Sequence, residues 1–205
     1  METEEPLAVI LEDVSKENTD FIIRINSNGD FLPKNGVFLG NGTPFDPWII
    51  QNKNINATGK GPAIYVGNTT DHFVISECNL YKANGMGKWP YFPDVVLYLY
   101  NVTNGIIEKN YLHDNKWKGL SLYKTENVTI QNNTIYDNDE NGMSLYEANN
   151  STVIDNVITT SKNIGIELVF SNYSLVKNNT CVGGSEGVRI TRSKMNVIAH
   201  NDVKN

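Results

Sequence analysis

Asparagine recurs at a fixed interval through the second half of this 205-residue chain: Asn110, Asn133, Asn156 and Asn179 are 23 residues apart, and Asn201 follows after 22. A period in the low twenties predicts a solenoid, in which each repeat is one turn that buries its apolar side only against its neighbours. Around each asparagine the same six-residue window returns: Ile107 to Leu112, Ile130 to Ile135, Val153 to Ile158, Val176 to Cys181 and Ile198 to Val203. Both ends of every window are apolar. Ile75 to Leu80 fits with Cys78 in the asparagine slot, and Ile50 to Ile55 fits more loosely with Lys53 there, which makes seven rungs.

Glycine supplies a second register. Gly119, Gly142, Gly165 and Gly187 each open a short alternating strand, and such glycines suit tight corners where positive φ is cheap only without a Cβ. Two strand types per repeat, rich in β-branched residues and separated by Asn, Asp, Ser and Gly, indicate a chain coiling in one direction. No stretch of ten residues keeps the 3.6-residue apolar period of a helical repeat. The expected fold is therefore all-β: a right-handed, single-stranded parallel β-helix of seven or more coils, stacked about 4.8 Å apart. The asparagine column is expected to form an amide ladder at a turn, a structural role rather than a catalytic one.

Residues 1–35 lack the repeat and are expected to cap the helix, with a first strand within Phe21 to Ile25 and the segment from Asn28 to Phe38 crossing the open end. The helix domain then runs from 36 to 205, with an insertion at 85–94. The last rung asparagine lies four residues from Asn205, so the expectation is continuation beyond 205 or self-association there.

The formal charge of −6 and three arginines argue against nucleic acid, and no apolar run is long enough to span a membrane. Cys78 and Cys181 lie four coils apart, about 19 Å, beyond disulfide reach, which predicts two free buried thiols. Met1 to Pro6 has neither the positive segment nor the apolar core of a secretion signal, leaving a cytosolic protein or a trimmed leader. Ten Asn-X-Ser/Thr sequons occur; Asn- and Thr-rich turns generate them without glycosylation.

Gly40 to Ile50 (Gly-Asn-Gly-Thr-Pro-Phe-Asp-Pro-Trp-Ile-Ile), Ala63 to Thr70, Phe73 to Ile75 and the later rungs resemble archaeal NosD-like surface proteins with parallel β-helix repeats, over roughly residues 21 to 205. That resemblance implies secretion or cell-surface display, and so a trimmed leader. It also implies a copper-handling role in the assembly of nitrous oxide reductase. The residues themselves point away from copper, which wants clustered His, Cys or Met: His72, His113 and His200 fall in different columns and coils.

Two regions are candidates for function. On the outward face of one sheet stand the columns Ser121, Ser144, Glu167, Arg189 and Tyr100, Tyr123, Tyr146, Val169, Thr191. Paired acids are missing there, so two-carboxylate hydrolysis is not expected, and Glu167 with Arg189 reads as a stacked ion pair. The other region is an edge. The spacing from Cys78 to Asn110 is 32 rather than 23, which places an insertion beside Lys116-Trp117-Lys118, and solenoid insertions often bind ligands. Trp89, Tyr91, Phe92 and Trp117 would cluster there, rimmed by Asp94, Asp114 and Asp137, with His113, Asp139 and Glu140 close by.

Aromatic rings with nearby carboxylates suit sugars, whose C–H faces meet rings and whose hydroxyls meet acids. The expected function is an extracellular or cell-surface module for binding or structure, contacting glycan through this aromatic turn. A polysaccharide lyase, hydrolase or epimerase is the alternative, with Asp94, Asp114 or Asp137 as acid and base. Asp114 and Asp137 on adjacent coils repel unless solvent or a cation intervenes; calcium would be that cation.

Overall fold

The computed structural model describes residues 22–85, 95–159 and 161–204. Each coil contributes one strand to each of three parallel, seven-stranded sheets. The first sheet stacks Ile23–Ile25, Ile64–Thr69, Val95–Val102, Lys118–Glu126, Met143–Asn149, Ile164–Val169 and Glu186–Thr191. The second runs from Trp48–Gln51 to Val197–Ala199, and the third from Asn54–Asn56 to Asp202–Lys204. The chain is a parallel β-solenoid of the expected 23-residue period. No helix among the described residues is long and apolar enough to cross a membrane.

The repeat contains three strands, not two. What reads in sequence as one apolar window is two short strands hinged at the asparagine: in the third coil, Gly105–Glu108 belongs to the second sheet and Tyr111–His113 to the third. Both ends of the window still point inward, because the corner resets the alternation of side chains. Ile75, Ile107, Ile130, Val153, Val176 and Ile198 stand in register in the second sheet, and Leu80, Leu112, Ile135, Ile158, Cys181 and Val203 in the third. All are buried except the last of each column, where Ile198 is 42% and Val203 48% exposed.

At the corner between those sheets, Asn110 Nδ2 donates to Asn133 Oδ1 at 3.0 Å, and the same bond repeats from Asn133 to Asn156, Asn156 to Asn179 and Asn179 to Asn201 at 2.9–3.0 Å. Each Oδ1 also accepts the backbone N–H of the asparagine one coil earlier. Cys78 occupies the slot by donating its N–H to Asn110 Oδ1 at 3.0 Å. Losing one amide would strand buried polar groups at about 1–3 kcal/mol.

The glycines work differently from the expectation. Gly119, Gly142, Gly165 and Gly187 have no positive φ; at this corner the left-handed residues are those just before the asparagines, Lys109, Asn132, Asp155, Asn178 and His200, at φ of 54–57°. What excludes a Cβ at the four glycines is space. It would lie 2.5 Å from Ile135 Cγ2 at Gly119, 2.4 Å from Ile158 Cγ2 at Gly142, 2.8 Å from Cys181 Sγ at Gly165 and 2.3 Å from Val203 Cγ1 at Gly187. The third sheet's inward column fills that volume.

At the N-terminal end Phe31 and Val37 are buried in the same core, and Phe31 stacks on Trp48 with ring centroids 5.6 Å apart. Cys78 and Cys181 are free and buried, and burial pushes the Cys181 thiol up to about 11.

Candidate functional site

The structure separates the sequence-derived candidates into two concavities. Asp114 and Asp137 share a groove at the corner after the third sheet with Thr58, Lys82, Asn84 and Asp139. Trp117 instead lines a cleft on the outward face of the first sheet, with Lys118, Ser121, Tyr123, Ser144 and Glu167 among its walls. Trp89, Tyr91, Phe92 and Asp94 lie outside the described residues.

The corner groove has a local explanation for its acids. Asp114 and Asp137 sit at φ of 55° and 51°, a left-handed conformation that Asp tolerates better than most residues because its short polar side chain bonds locally. Asp114 Oδ2 is 2.9 Å from His113 Nδ1, and the other ring nitrogen of His113 is 2.9 Å from Asn79 Oδ1. The imidazole is also sandwiched between Tyr81 and Tyr136, with centroids at 5.2 and 4.6 Å and planes within 4°. Asp139 is bracketed by lysines of the coils on either side, Lys162 at 2.5 Å and Lys116 at 3.2 Å, and these hold its carboxyl below the usual range. Beneath the groove Asn115 Nδ2 donates to Asn138 Oδ1 at 2.7 Å, a second buried asparagine stack. Among the described residues no three His, Cys, Asp or Glu side chains group as a metal site.

The face cleft is shaped by register. In-register pairing sets Tyr98, Ser121, Ser144, Glu167 and Arg189 in one outward column and Tyr100, Tyr123 and Tyr146 in the next. The cleft offers about 260 Å³, short of the roughly 300–1,000 Å³ of enclosed small-molecule sites, and so suits part of an extended ligand. Tyr123 and Tyr146 line it, within a run Tyr100, Tyr123, Tyr146 and Phe170 whose successive centroids are 5.8, 5.2 and 5.4 Å apart. Only the first pair is stacked; the second is tilted and the third meets edge to face. Trp117, half-buried at the cleft's margin, stands outside that run, with Lys118 Nζ 5.0 Å from its ring centroid.

Glu167 is positioned rather than loosely paired. Its Oε2 accepts from Asn141 Nδ2 at 2.8 Å and Ser144 Oγ at 3.0 Å, which fixes the plane of the carboxylate. Arg189 Nη1 is 3.8 Å from Oε1, too far for a hydrogen bond, because that guanidinium is clasped by Glu186 through Nε and Nη2. The expected Glu167–Arg189 stack is thus the weaker of two contacts, since Glu186 lies three residues back on the same strand. Burial pulls the Lys118 ammonium below lysine's usual value, with Glu167 and then Glu140 acting in the other direction.

Sequence reasoning missed Lys118 as a site residue and Asn115–Asn138 as a second stack. Lys118 immediately precedes Gly119, where the strand seemed to open; the strand begins at Lys118. For the asparagines the 23-residue spacing was itself the signal, as it was for the alternating Lys116, Asp139 and Lys162.

No curated protein matches the chain. Among solved structures it is similar to the periplasmic alginate epimerase AlgG, at 15% identity and a TM-score of 0.53, with 76% of this chain and 45% of that one covered. A point variant of AlgG gives 17% identity, a TM-score of 0.54 and coverages of 75% and 45%. The Azotobacter vinelandii mannuronan C-5 epimerase AlgE6 A-module gives 14% and 0.42, with 77% and 56% covered. The chain spans less than half the length of the AlgG structures, and at this identity the likeness is one of fold alone. A family model matches residues 47–205, more than half of the chain, and does not bear on an archaeal source; the protein thus belongs to the family described as "Periplasmic copper-binding protein (NosD)".

Proposed function

We propose that this protein is an extracytoplasmic β-helix module that contacts glycan through the outward face of its first sheet. The observation behind this reading is the convergence in one open cleft of the Trp117 ring with the hydroxyls of Ser121 and Ser144 and the oriented carboxylate of Glu167. Pyranose rings need that combination: an aromatic surface for their C–H bonds and fixed polar partners for their hydroxyls. The periplasmic family description and the likeness to a periplasmic alginate epimerase are in keeping with the location and the ligand class.

Copper fits the described residues poorly. His113 has both ring nitrogens engaged, Cys78 and Cys181 are sealed in the core, and among the described residues no three His, Cys, Asp or Glu side chains group together. Copper sites need soft or imidazole donors converging on one point. The deciding experiment is binding of the purified chain to a panel of acidic and neutral polysaccharides, with reducing-end and unsaturated-product assays in parallel. Saturable binding without product supports the module; product formation makes it an enzyme. Absence of both across the panel would sink the glycan reading.

A further inference from the structure

Lys118 is a half-buried charge on the wall of the face cleft. It opens the strand Lys118–Glu126, opposite Val95 in the neighbouring strand, and its side chain lines the cleft together with Trp117, Ser121, Ser144 and Glu167. Like most lysines and arginines among the described residues, Lys118 has no carboxylate within 4.0 Å; what sets it apart is its place in the cleft, partly withdrawn from water. Its contact is the Trp117 ring, 5.0 Å from Nζ. An ammonium partly withdrawn from water costs free energy that an unpaired position does not return.

Resting on the glycan reading, we propose that Lys118 makes the cleft selective for acidic saccharides: its ammonium pairs with a ring carboxylate while Trp117 takes the C–H face and Glu167 accepts a hydroxyl proton. The geometry divides the work. Glu167 Oε2 is occupied by Asn141 and Ser144, so Oε1 is the oxygen available to a ligand hydroxyl, and a carboxylate placed there instead would be repelled. Arg189 is neutralised by Glu186, which leaves Lys118 as the anion's partner in the cleft. The net charge of −6 does not cancel this preference, because exposed charges beyond the Debye length of about 8 Å at physiological salt are largely screened. The acids that remain within range, Glu167 and Glu140, set the requirement that the ligand's carboxylate approach from the Lys118 side.

The test compares oligosaccharides of one backbone, as the free hexuronate and as its carboxyl-reduced neutral form, with sodium acetate and sulfate at equal charge as ion controls. The wild type should bind the uronate at least tenfold more tightly than the neutral form, and the simple ions should not compete at equal charge. Lys118→Met should bring the ratio of uronate to neutral affinity to about one in a protein that still unfolds cooperatively, and Lys118→Arg should restore much of the preference. Equal binding of both forms by the wild type, competition by acetate or sulfate, or a preference that survives Lys118→Met would overturn the proposal while leaving glycan contact standing. Failure of the wild type to bind either form would remove the glycan reading, and this inference with it.

Discussion

The corner groove and the face cleft are built from the same stacking rule and reach opposite electrostatic outcomes. In the groove, charges in one column alternate in sign, Lys116, Asp139, Lys162, so each coil neutralises the next and the side chains satisfy one another. On the face, the column passes from tyrosine through serine to Glu167 and Arg189, and the local partners are Asn141, Ser144 and Glu186, with no carboxylate within 4.0 Å of the Lys118 ammonium among the described residues. A cluster of acids in a solenoid sequence is thus weak evidence for a site until the coils above and below it are known. A partly buried charge that faces a cleft and has no carboxylate at ion-pair distance among the described residues is stronger evidence.

The largest effect expected is on stability and belongs to the groove. Asn138→Ala removes the acceptor of Asn115 beneath Asp114 and Asp137, and should cost about 1–3 kcal/mol in denaturant unfolding while leaving glycan affinity unchanged. A parallel loss of binding would mean that the two regions are coupled. Next, Trp117→Ala should weaken glycan binding by tenfold or more, about 1.4 kcal/mol, with little change in melting temperature. A packing residue would behave in reverse, losing about 3–5 kcal/mol of stability, and calorimetry alongside binding separates the cases.

Asp139→Asn probes the neutralised column. The pairs are substantially exposed, so its cost should stay below about 1 kcal/mol at pH 7. The sign with pH follows from the carboxyl being lowered in the fold: its contribution is present above the unfolded value of about 3.9 and disappears as pH falls through the lower folded value. Stability curves of wild type and variant should therefore converge in acid; a constant gap down to pH 2 would contradict the lysine contacts. The smallest effect is calcium. Millimolar calcium should leave the melting temperature unchanged if lysines and His113 already satisfy the groove, and a rise abolished by Asp114→Asn would instead make the groove a cation site.

Sequence was most informative where one residue type had to recur. The asparagine spacing, the two inward apolar columns and the absence of a disulfide were readable because stacking forces identical neighbours into register, and the hydrogen bonds and burial follow those columns. The number of strands per coil was not, since a corner that resets alternation leaves an apolar window looking like one strand. The glycines were recognised as special for the wrong reason, because the volume that excludes their Cβ belongs to Ile135, Ile158, Cys181 and Val203 in another sheet.

The candidate site divides the same way. Period, composition and the Tyr and Asp columns are one-dimensional facts, and the sequence alone determined a parallel solenoid with an aromatic outer face. Which column faces which concavity depends on where each strand begins and how sharply each corner turns. Only the tertiary structure could place Trp117 with Lys118 and Glu167, set Asp114 and Asp137 apart from them, and show which charges neighbouring coils had already neutralised. The physical reason is that electrostatic satisfaction is a property of side chains a few ångströms apart in space, and in this fold those side chains come from coils 23 residues apart in sequence.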